Sequence, residues 1–557
     1  MTPPDDIPVL IVGGGPVGLT MSILLSYHGV RSLLVERHPT TATHPKSRAI
    51  NARTMEVYRQ CGVEEAVRAA GLPPERARLI VWARSLAGEE IERRVPWRAT
   101  AAGSAVSPAR NCLCAQDDLE PVLRRCAEGL GPGALRFGAA LDGFTQDPDG
   151  VTATIVEGGG PARTVRARYL VAADGAASAV RRALGIPMVG EADVYESVNV
   201  LLRADLTSWT RERPAALYFV EQPGLTATFL TINGADRWGF LVNSLSASGW
   251  VPSDFTPERC VALIRAAAGV PDLPVEILGI APWTAAARVA ARYQAGRVFL
   301  AGDAAHEMPP TGGFGLNTGV QDAHNLGWKL AAVLHGWGGP ALLSTYDAER
   351  RPVGQAITEQ SLANSISMGR RGPRPAGGAL ARPEYLNEQG LIFGASYASA
   401  AVIPDGTPPP AVANPLTDYV PSGRPGGRAP HVWLSRGPAR ASTLDRFGRG
   451  FVLLAGADGE PWRHAARDAA AGLRMPLDAV TIGPGEDLDD PEGRWPSTYG
   501  VGGEGAVLVR PDGHVAWRHP GRAADPGAAL RDGLARLAGR APEAAGAGAP
   551  RPAATHR

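Results

Sequence analysis

The earliest signal along the chain is an apolar run, Pro8-Val-Leu-Ile-Val12, followed by the turn-like Gly13-Gly-Gly-Pro-Val-Gly18 and then by apolar and small residues from Leu19 to Tyr27. A short β-rich run bounded by glycines predicts a buried strand, and the longer stretch behind it predicts a helix. Val30-Arg-Ser-Leu-Leu-Val-Glu36 predicts a second strand that ends on an acid. The same grammar returns twice. Tyr169-Leu-Val-Ala-Ala-Asp174-Gly175-Ala-Ala-Ser178 predicts a strand that delivers an aspartate-glycine turn ahead of a helix. Arg297-Val-Phe-Leu-Ala-Gly302-Asp303-Ala-Ala-His306 predicts another, followed by Pro309-Pro-Thr-Gly-Gly-Phe-Gly315-Leu-Asn317-Thr-Gly319 and a helix over 320–335. Between 174 and 297 the β-rich runs at 197–203, 216–220, 226–231 and 238–242 predict a mostly antiparallel sheet. Periodicity fades over 366–430, where glycine, proline and arginine accumulate. Beyond it, runs at 451–455, 462–473, 478–482 and 505–513 read as strand, helix, strand and strand.

Length and charge narrow the classes. At 557 residues the chain has room for three or four domains. With 44% hydrophobic and 20% charged residues it can build sizeable cores. A net charge of +1 provides no field for nucleic acid and no polybasic lipid anchor, so small molecules are the expected partners. The uncharged stretch 7–27, at 21 residues, is long enough for a membrane span. Three consecutive glycines and a proline interrupt it and two aspartates precede it, so neither a span nor a signal peptide is expected. Cysteines at 61, 112, 114, 126 and 260 form no CxxC, and Cys112-Leu-Cys114 is too isolated for a metal site. Reduced thiols and a cytoplasmic location follow as expectations. Of the 56 basic residues only Lys46 and Lys329 are lysine.

Gly13, Gly15 and Gly18 occupy GxGxxG spacing between a strand and a helix, the context that turns a weak pattern into a dinucleotide site. The first glycine permits the tight turn, the second admits a pyrophosphate, and the third lets helix approach strand. Pro16 and Val17 open the helix whose free N–H groups and dipole face the phosphates. Glu36, 21 residues after Gly15, is placed to accept from adenosine ribose hydroxyls and to repel a 2′-phosphate, which favours FAD or NAD. A second copy, Gly500-Val-Gly502-Gly-Glu-Gly505, precedes a strand instead of a helix and is expected to be a turn. Aspartates at strand ends near phosphates, Asp174 and Asp303, suit the hydroxyls of a ribityl chain, and the glycines after Pro309 offer backbone N–H groups to a flavin ring, where negative charge accumulates on reduction. As a lesser alternative Asp174 could simply cap the helix it precedes, Arg181 could pair on the surface, and His306 reads as a packed histidine.

These three ordered segments, GGGPVG…E, DGAASAVR and GDAAHEMPPTGGFGLNTG, resemble the fingerprints of the single-component FAD-dependent aromatic monooxygenases of the para-hydroxybenzoate and phenol hydroxylase type, nearest to the subgroup acting on aromatic polyketides. The likeness runs to Tyr346-Asp-Ala-Glu-Arg-Arg-Pro352 and more weakly beyond. It implies an α/β fold in which a Rossmann-like FAD domain carries an inserted antiparallel substrate domain and a thioredoxin-like C-terminal domain without CxxC. The implied limits are 1–185 and 285–365 for FAD, 186–284 with parts of 75–110 for substrate, 366–425 for a linker, 426–540 for the C-terminal domain and 541–557 for a tail.

The resemblance also implies cofactor contacts from Gly13, Gly15, Pro16, Val17, Gly18 and Glu36 to the ADP part of FAD, and from Gln116 near the ribityl-phosphate. Asp174 and Arg181 resemble a motif that serves both FAD and the nicotinamide cofactor; Asp303 would hold the ribityl chain, and Gly315, Leu316 and Asn317 the flavin ring. NADPH or NADH would reduce the flavin transiently, and O2 would then form a C(4a)-hydroperoxide that attacks an electron-rich ring. Tyr218, Phe229, Trp238, Trp283 and Pro310 are candidates for an aromatic substrate pocket. The phenol hydroxylase pattern places an aspartate ahead of its Arg-Thr-Leu-Glu stretch, but here Lys46-Ser-Arg48-Ala-Ile-Asn51-Ala-Arg53 has no acid. Arg48 or Lys46 could stabilise a phenolate or serve the nicotinamide phosphate, and no side chain is expected to be a dedicated base. Baeyer–Villiger oxidation or epoxidation on the same fold, and a non-catalytic FAD-binding partner, are the alternatives; the C-terminal domain is left for structure or for a homodimer contact.

Overall fold

The computed structural model describes residues 5–96, 105–369 and 387–540. The stretch 541–557 expected as a tail, and residues 370–386 of the expected linker, lie outside the described residues. The strand Asp5–Val12 lies inside an eight-stranded sheet, parallel to Ser32–Glu36 on one side and to Arg163–Ala172 on the other. Val298–Leu300 adds in parallel beyond Arg163–Ala172, and Ala134–Phe137 beyond Ser32–Glu36. Helices Pro16–Tyr27, Gln116–Leu130 and Gly315–Leu334 pack together on this sheet. Val9, Leu10 and Ile11 are wholly buried, as expected of a central parallel strand covered on both faces. The nucleotide unit is thus completed by chain from both sides of the intervening segment.

That segment supplies five strands of a second eight-stranded sheet, in the order His306–Glu307, Glu276–Ala290, Met188–Arg203, Arg237–Asn243, Leu225–Thr231, Ala215–Gln222, Leu79–Ala83 and Glu90–Arg94, the first and the last two coming from outside it. Strand Glu276–Ala290 runs unbroken through the expected boundary at 284 and carries the chain back to the nucleotide unit. One face of this sheet is packed by helix Pro257–Ala268, with Val198, Val200, Phe229, Trp238, Phe240, Val242 and Ile264 in a single core.

In the C-terminal unit the strands Leu477–Thr481, Phe451–Ala455, Ala506–Val509 and Val515–His519 follow one another across a sheet whose first pair is parallel and whose others are antiparallel. Helices Glu460–Leu473 and Pro526–Leu537 lie against each other, completing the βαβββα order of a thioredoxin-like domain. Gly500 to Gly505 form turns, in the left-handed region at Gly500. All five cysteines are free. Among the described residues no helix is long and apolar enough to cross a membrane.

The C-terminal unit docks through buried charge. The Glu349 carboxylate accepts from Lys329 Nζ at 2.7 Å, Asn325 Nδ2 at 2.6 Å, Ser399 Oγ at 2.6 Å and both terminal nitrogens of Arg510 at 2.6 and 2.9 Å. Although burial alone would raise it, the Arg510 and Lys329 charges hold this carboxyl well below the usual range. Burial pushes the Lys329 ammonium down to about 8 against the pull of Glu349. A neighbouring cluster joins Arg428 and Arg53 to Glu56, with Arg53 also reaching the Asp512 carbonyl at 2.8 Å.

Removing one member of a buried pair strands the others, so Glu349→Gln is expected to lower the unfolding free energy by about 3–5 kcal/mol in urea titrations. Neutralising the exposed pair Arg440–Glu492 is expected to change it by less than about 1 kcal/mol. The buried imidazoles of His431 and His514 are pushed down to about 4 by burial. An unfolded chain with histidines near 6.5 takes up protons that the folded chain refuses between pH 6.5 and 4, so stability is complete above that window and falls as pH drops through it. Each contributes a slope of up to about 1.4 kcal/mol per pH unit. Melting temperatures measured from pH 7 to 5 should fall, and less steeply in His431→Asn, which retains a polar group beside Ser442 Oγ.

Candidate active site

The turn Gly13 to Gly18 is set by contacts that only glycine permits. Gly13 has φ of +110°, and a Cβ there would strike the Ala173 carbonyl; a Cβ on Gly18 would strike the carbonyl of Gly13. Gly15 is different: nothing lies within 4 Å of where its Cβ would project. The helix behind it, Pro16–Tyr27, has no side-chain cap, so its first-turn N–H groups look into this open space. Glu36 accepts the Gly14 N–H at 2.7 Å and the His38 N–H at 2.8 Å, which fixes the carboxylate at the rim of the same space.

Two more loops converge here. Gly302 and Gly319 both crowd the Val17 side chain, so the segments around 17, 302 and 319 meet at one point. The helix expected from 320 already begins at Gly315, because Gly319 needs no room for a side chain in that packing; Gly315, Leu316 and Asn317 therefore form its first turn, again without a side-chain cap. The Asn317 side chain is spent on protein: it donates to the Ala49 and Gly313 carbonyls at 2.8 and 2.7 Å and accepts the Asn51 N–H at 2.9 Å. Its side chain is thereby occupied, which leaves the backbone N–H of this first turn as the group it can offer. A recess beside it is lined by Ala49, Asn51, Gly312, Gly313 and Phe314.

Asp303 is open to solvent yet lies at the floor of a cleft, where the surrounding protein pushes its carboxyl pKa up against the charges of His306 and Lys46. His306 is wholly buried and bonds Asp322 through Nε2 at 2.8 Å, so it is packed as the sequence suggested. Asp174 accepts the Val180 N–H at 3.2 Å, while Ser178 caps the helix; the other oxygen of Asp174 is buried without a partner. Arg181 is buried, not on the surface, and ties the Ala304 and Ala176 carbonyls together at 3.0 and 2.9 Å.

Gln116 starts helix Gln116–Leu130, donating its N–H to the Ser47 carbonyl at 2.8 Å and its side chain to Glu120 at 2.7 Å. Glu120 in turn takes the Ala42 N–H at 2.6 Å, pinning the loop that carries Lys46 and Arg48. Arg48 donates to the Thr231 and Ala216 carbonyls at 2.9 and 2.5 Å, fastening that loop to the second sheet. Lys46 is exposed.

The expected aromatic wall divides. Tyr218, Phe229 and Trp238 point away from the cleft into the core beneath helix Pro257–Ala268, where Tyr218 Oη donates to the Arg213 carbonyl at 2.8 Å and Trp238 Nε1 to that of Ala204 at 3.2 Å. Strand alternation sends their neighbours to the other face: Phe219, stacked on Trp82 with centroids 5.1 Å apart, Thr228 and Leu241. Trp283 lies on that face with Tyr195 and Leu362, and Pro310 is exposed in the loop after His306. Met368 covers Trp82 and Phe219, and His44 sits over Gly279. A larger cavity, of about 490 Å³, is lined wholly by C-terminal residues such as Arg436, Arg446 and Arg467 and is separate from this chemistry. Sequence reasoning missed Asp322, Arg350 and Asn51, whose roles depend on contacts far along the chain.

The open space at Gly15, two uncapped helix ends, the rim carboxylate of Glu36 and the half-satisfied Asp174 together fit an extended dinucleotide. The fold and cleft thus define an oxidoreductase of the FAD-binding βαβ class with a substrate sheet set into it. Residues 6–361 match the family described as FAD binding domain, and residues 422–541 the family described as aromatic-ring hydroxylase, C-terminal. The chain is 42% identical over 561 residues to a tetracenomycin B2 monooxygenase-dioxygenase of Streptomyces olivaceus, covering 96% of this chain and 99% of that protein. It is 40% identical over 543 residues to an aklavinone 12-hydroxylase of Streptomyces purpurascens, with 96% and 99% covered. A crystal structure of aklavinone-11 hydroxylase with FAD and aklavinone superimposes with a TM-score of 0.86 at 40% identity, over 96% of this chain and 99% of that one. The chain belongs to the FAD-dependent aromatic-ring hydroxylases: it is a flavoprotein monooxygenase that uses FAD, NAD(P)H and O2.

Gly15 separates binding from folding. Gly15→Val, whose side chain enters open space, is expected to fold and melt near the parent apoprotein but to lose most bound FAD, a fall of roughly tenfold or more in the 450 nm to 280 nm absorbance ratio. Gly18→Ala, which collides with the Gly13 carbonyl, should lose both FAD and stability.

Proposed function

We propose that this chain hydroxylates a ring of a fused aromatic, polyketide-type phenol. The observation that carries the reading is the face of the second sheet turned away from helix Pro257–Ala268, where Phe219, Leu241 and Trp283 share a side with the small residues Gly239, Gly279 and Ala281. Full-length likeness to enzymes named for tetracenomycin and aklavinone supports it.

FAD, when bound, would supply the redox chemistry: a hydride from NAD(P)H, a proton and O2 are turned into NAD(P)+, a ring hydroxyl that carries one oxygen atom and a water that carries the other. In this reading the backbone of Gly13, Gly15, Pro16, Val17 and Gly18 cradles the pyrophosphate, Glu36 takes the ribose hydroxyls, and Gln116, Asp174 and Asp303 line the path of the ribityl chain. The N–H groups of Gly315, Leu316 and Asn317 stabilise negative charge on the reduced ring through the helix end. Arg48 keeps its loop closed on the substrate sheet, which excludes water from the reacting atoms. Lys46 supplies positive charge at the cleft mouth, favouring an ionised phenol or a nicotinamide phosphate, with no dedicated base required of the protein.

Purified holoenzyme, given NADPH or NADH and 18O2 with a panel of phenols and hydroxyanthraquinones, is expected to oxidise the nucleotide fastest with a fused-ring phenol and to yield a product one 18O heavier with the ring intact. A ring-expanded lactone or an epoxide would replace this reading with an alternative, and nucleotide consumed only to hydrogen peroxide across the panel would overturn it.

A further inference from the structure

On the cleft face of the second sheet, three polar side chains surround one leucine. Thr228 and Asn199 stand opposite Leu241 on the two strands that flank it, and Asn243 is two residues further along Leu241's own strand, opposite Ser197. Thr228 is 3% exposed and Asn243 7% exposed. Part of this polarity is spent within the protein: Asn243 Oδ1 accepts from Ser197 Oγ at 2.8 Å, and Asn199 Nδ2 donates to the Pro45 carbonyl at 3.3 Å. The remaining atoms, Asn243 Nδ2, Asn199 Oδ1 and Thr228 Oγ1, are buried without any hydrogen-bond partner.

A buried orphan is costly, and three gathered around one residue lie within reach of a single ligand. The opposite face of the same strands is largely apolar. Their chemistry is complementary: one amide donor, one amide acceptor and one hydroxyl that can serve as either. Their spacing is set by the sheet. Thr228 and Asn199 are two strand widths apart, about 9–10 Å at the backbone. Asn243 is diagonal to each, at about 7–8 Å. One phenol ring reaches one of these atoms; a ligand that pairs with all three spreads its oxygens over several fused rings.

We infer that Asn199, Thr228 and Asn243 are specificity-determining residues of the substrate cleft, and that together they select a fused-ring hydroxyquinone, whose carbonyl oxygen accepts from Asn243 Nδ2 and whose hydroxyl donates to Asn199 Oδ1. The inference rests on the aromatic-substrate reading of the cleft given above. A site built to pair with a hydroxyl or carbonyl rejects analogues that lack it, because its own polar atoms are then left orphaned.

The test titrates FAD-loaded enzyme with 1,8-dihydroxyanthraquinone, 9,10-anthraquinone and phenol, following the flavin spectrum. Wild-type enzyme should bind the dihydroxy compound tightest and phenol weakest. Asn243→Leu should raise Kd for both anthraquinones by roughly tenfold or more. Asn199→Leu should do so only for the dihydroxy compound, the one with a hydroxyl to lose. Thr228→Val, nearly identical in shape, carries the test should either asparagine variant misfold: it should weaken the dihydroxy compound, and Thr228→Ser should restore it. FAD content and melting temperature report folding. Kd values within twofold of wild type in folded variants, or phenol bound as tightly as the anthraquinones, would overturn the selection while leaving hydroxylation of a polycyclic phenol intact. Failure of every aromatic to be hydroxylated would instead strike the underlying reading.

Discussion

The geometry of the cleft depends on one carboxylate. Asp322 is wholly buried and accepts the Gly302 N–H at 3.1 Å, His306 Nε2 at 2.8 Å and Arg350 Nε at 2.8 Å. Burial would drive its proton on, but the Arg350 and His306 charges keep it ionised. An unpaired carboxylate there could not persist. Because Asp322 lies about two turns into helix Gly315–Leu334, its grip sets that helix end against the Gly302 loop, and so sets Gly315 relative to Asp303. The glycine contacts around Val17 then leave this arrangement no slack.

The C-terminal unit braces the same region from outside. Asn317 holds the Asn51 N–H, Asn51 caps helix Ala52–Gln60 by accepting the Thr54 N–H, and Arg53 on that helix reaches the Asp512 carbonyl. Asp512 also pairs with Arg510, which is bound to Glu349. A short series of buried polar contacts thus joins the helix end at Asn317 to a turn almost two hundred residues later. Trp328, Trp337 and Phe451 pack the seam around it.

Much of the nucleotide unit was legible because its determinants are local: apolar strands, glycines at fixed spacing and acids at strand ends are all visible within a few residues. Gly315 to Gly319 misled because glycines normally end helices, whereas here they let one pack tightly. The pocket aromatics misled for another reason. In Ala215–Gln222, Leu225–Thr231 and Arg237–Asn243 both faces are largely apolar, so alternation does not say which face meets the cleft, and Tyr218, Phe229 and Trp238 turned out to fill the core. The signal that could have sorted them was the polar phase, Thr228 and Asn243, running through otherwise apolar strands. The buried charges were illegible: Arg510 and Glu349 are 161 residues apart, and nothing near either announces the other. Among them Lys329 stood out, one of two lysines in a chain that writes its other 54 basic residues as arginine.

The divided nucleotide unit has a consequence for biosynthesis. A chain emerging from the ribosome has the phosphate turn within its first twenty residues, but Val298–Leu300, Asp303 and the helix end at Gly315 arrive only after more than half of the polypeptide has been made. Until then the edge of strand Arg163–Ala172 that pairs with Val298–Leu300 has no partner strand. The inserted sheet, closed largely by its own neighbouring hairpins, can form in the interval. The nucleotide unit, begun first, is in this way completed only after most of the substrate sheet has been made.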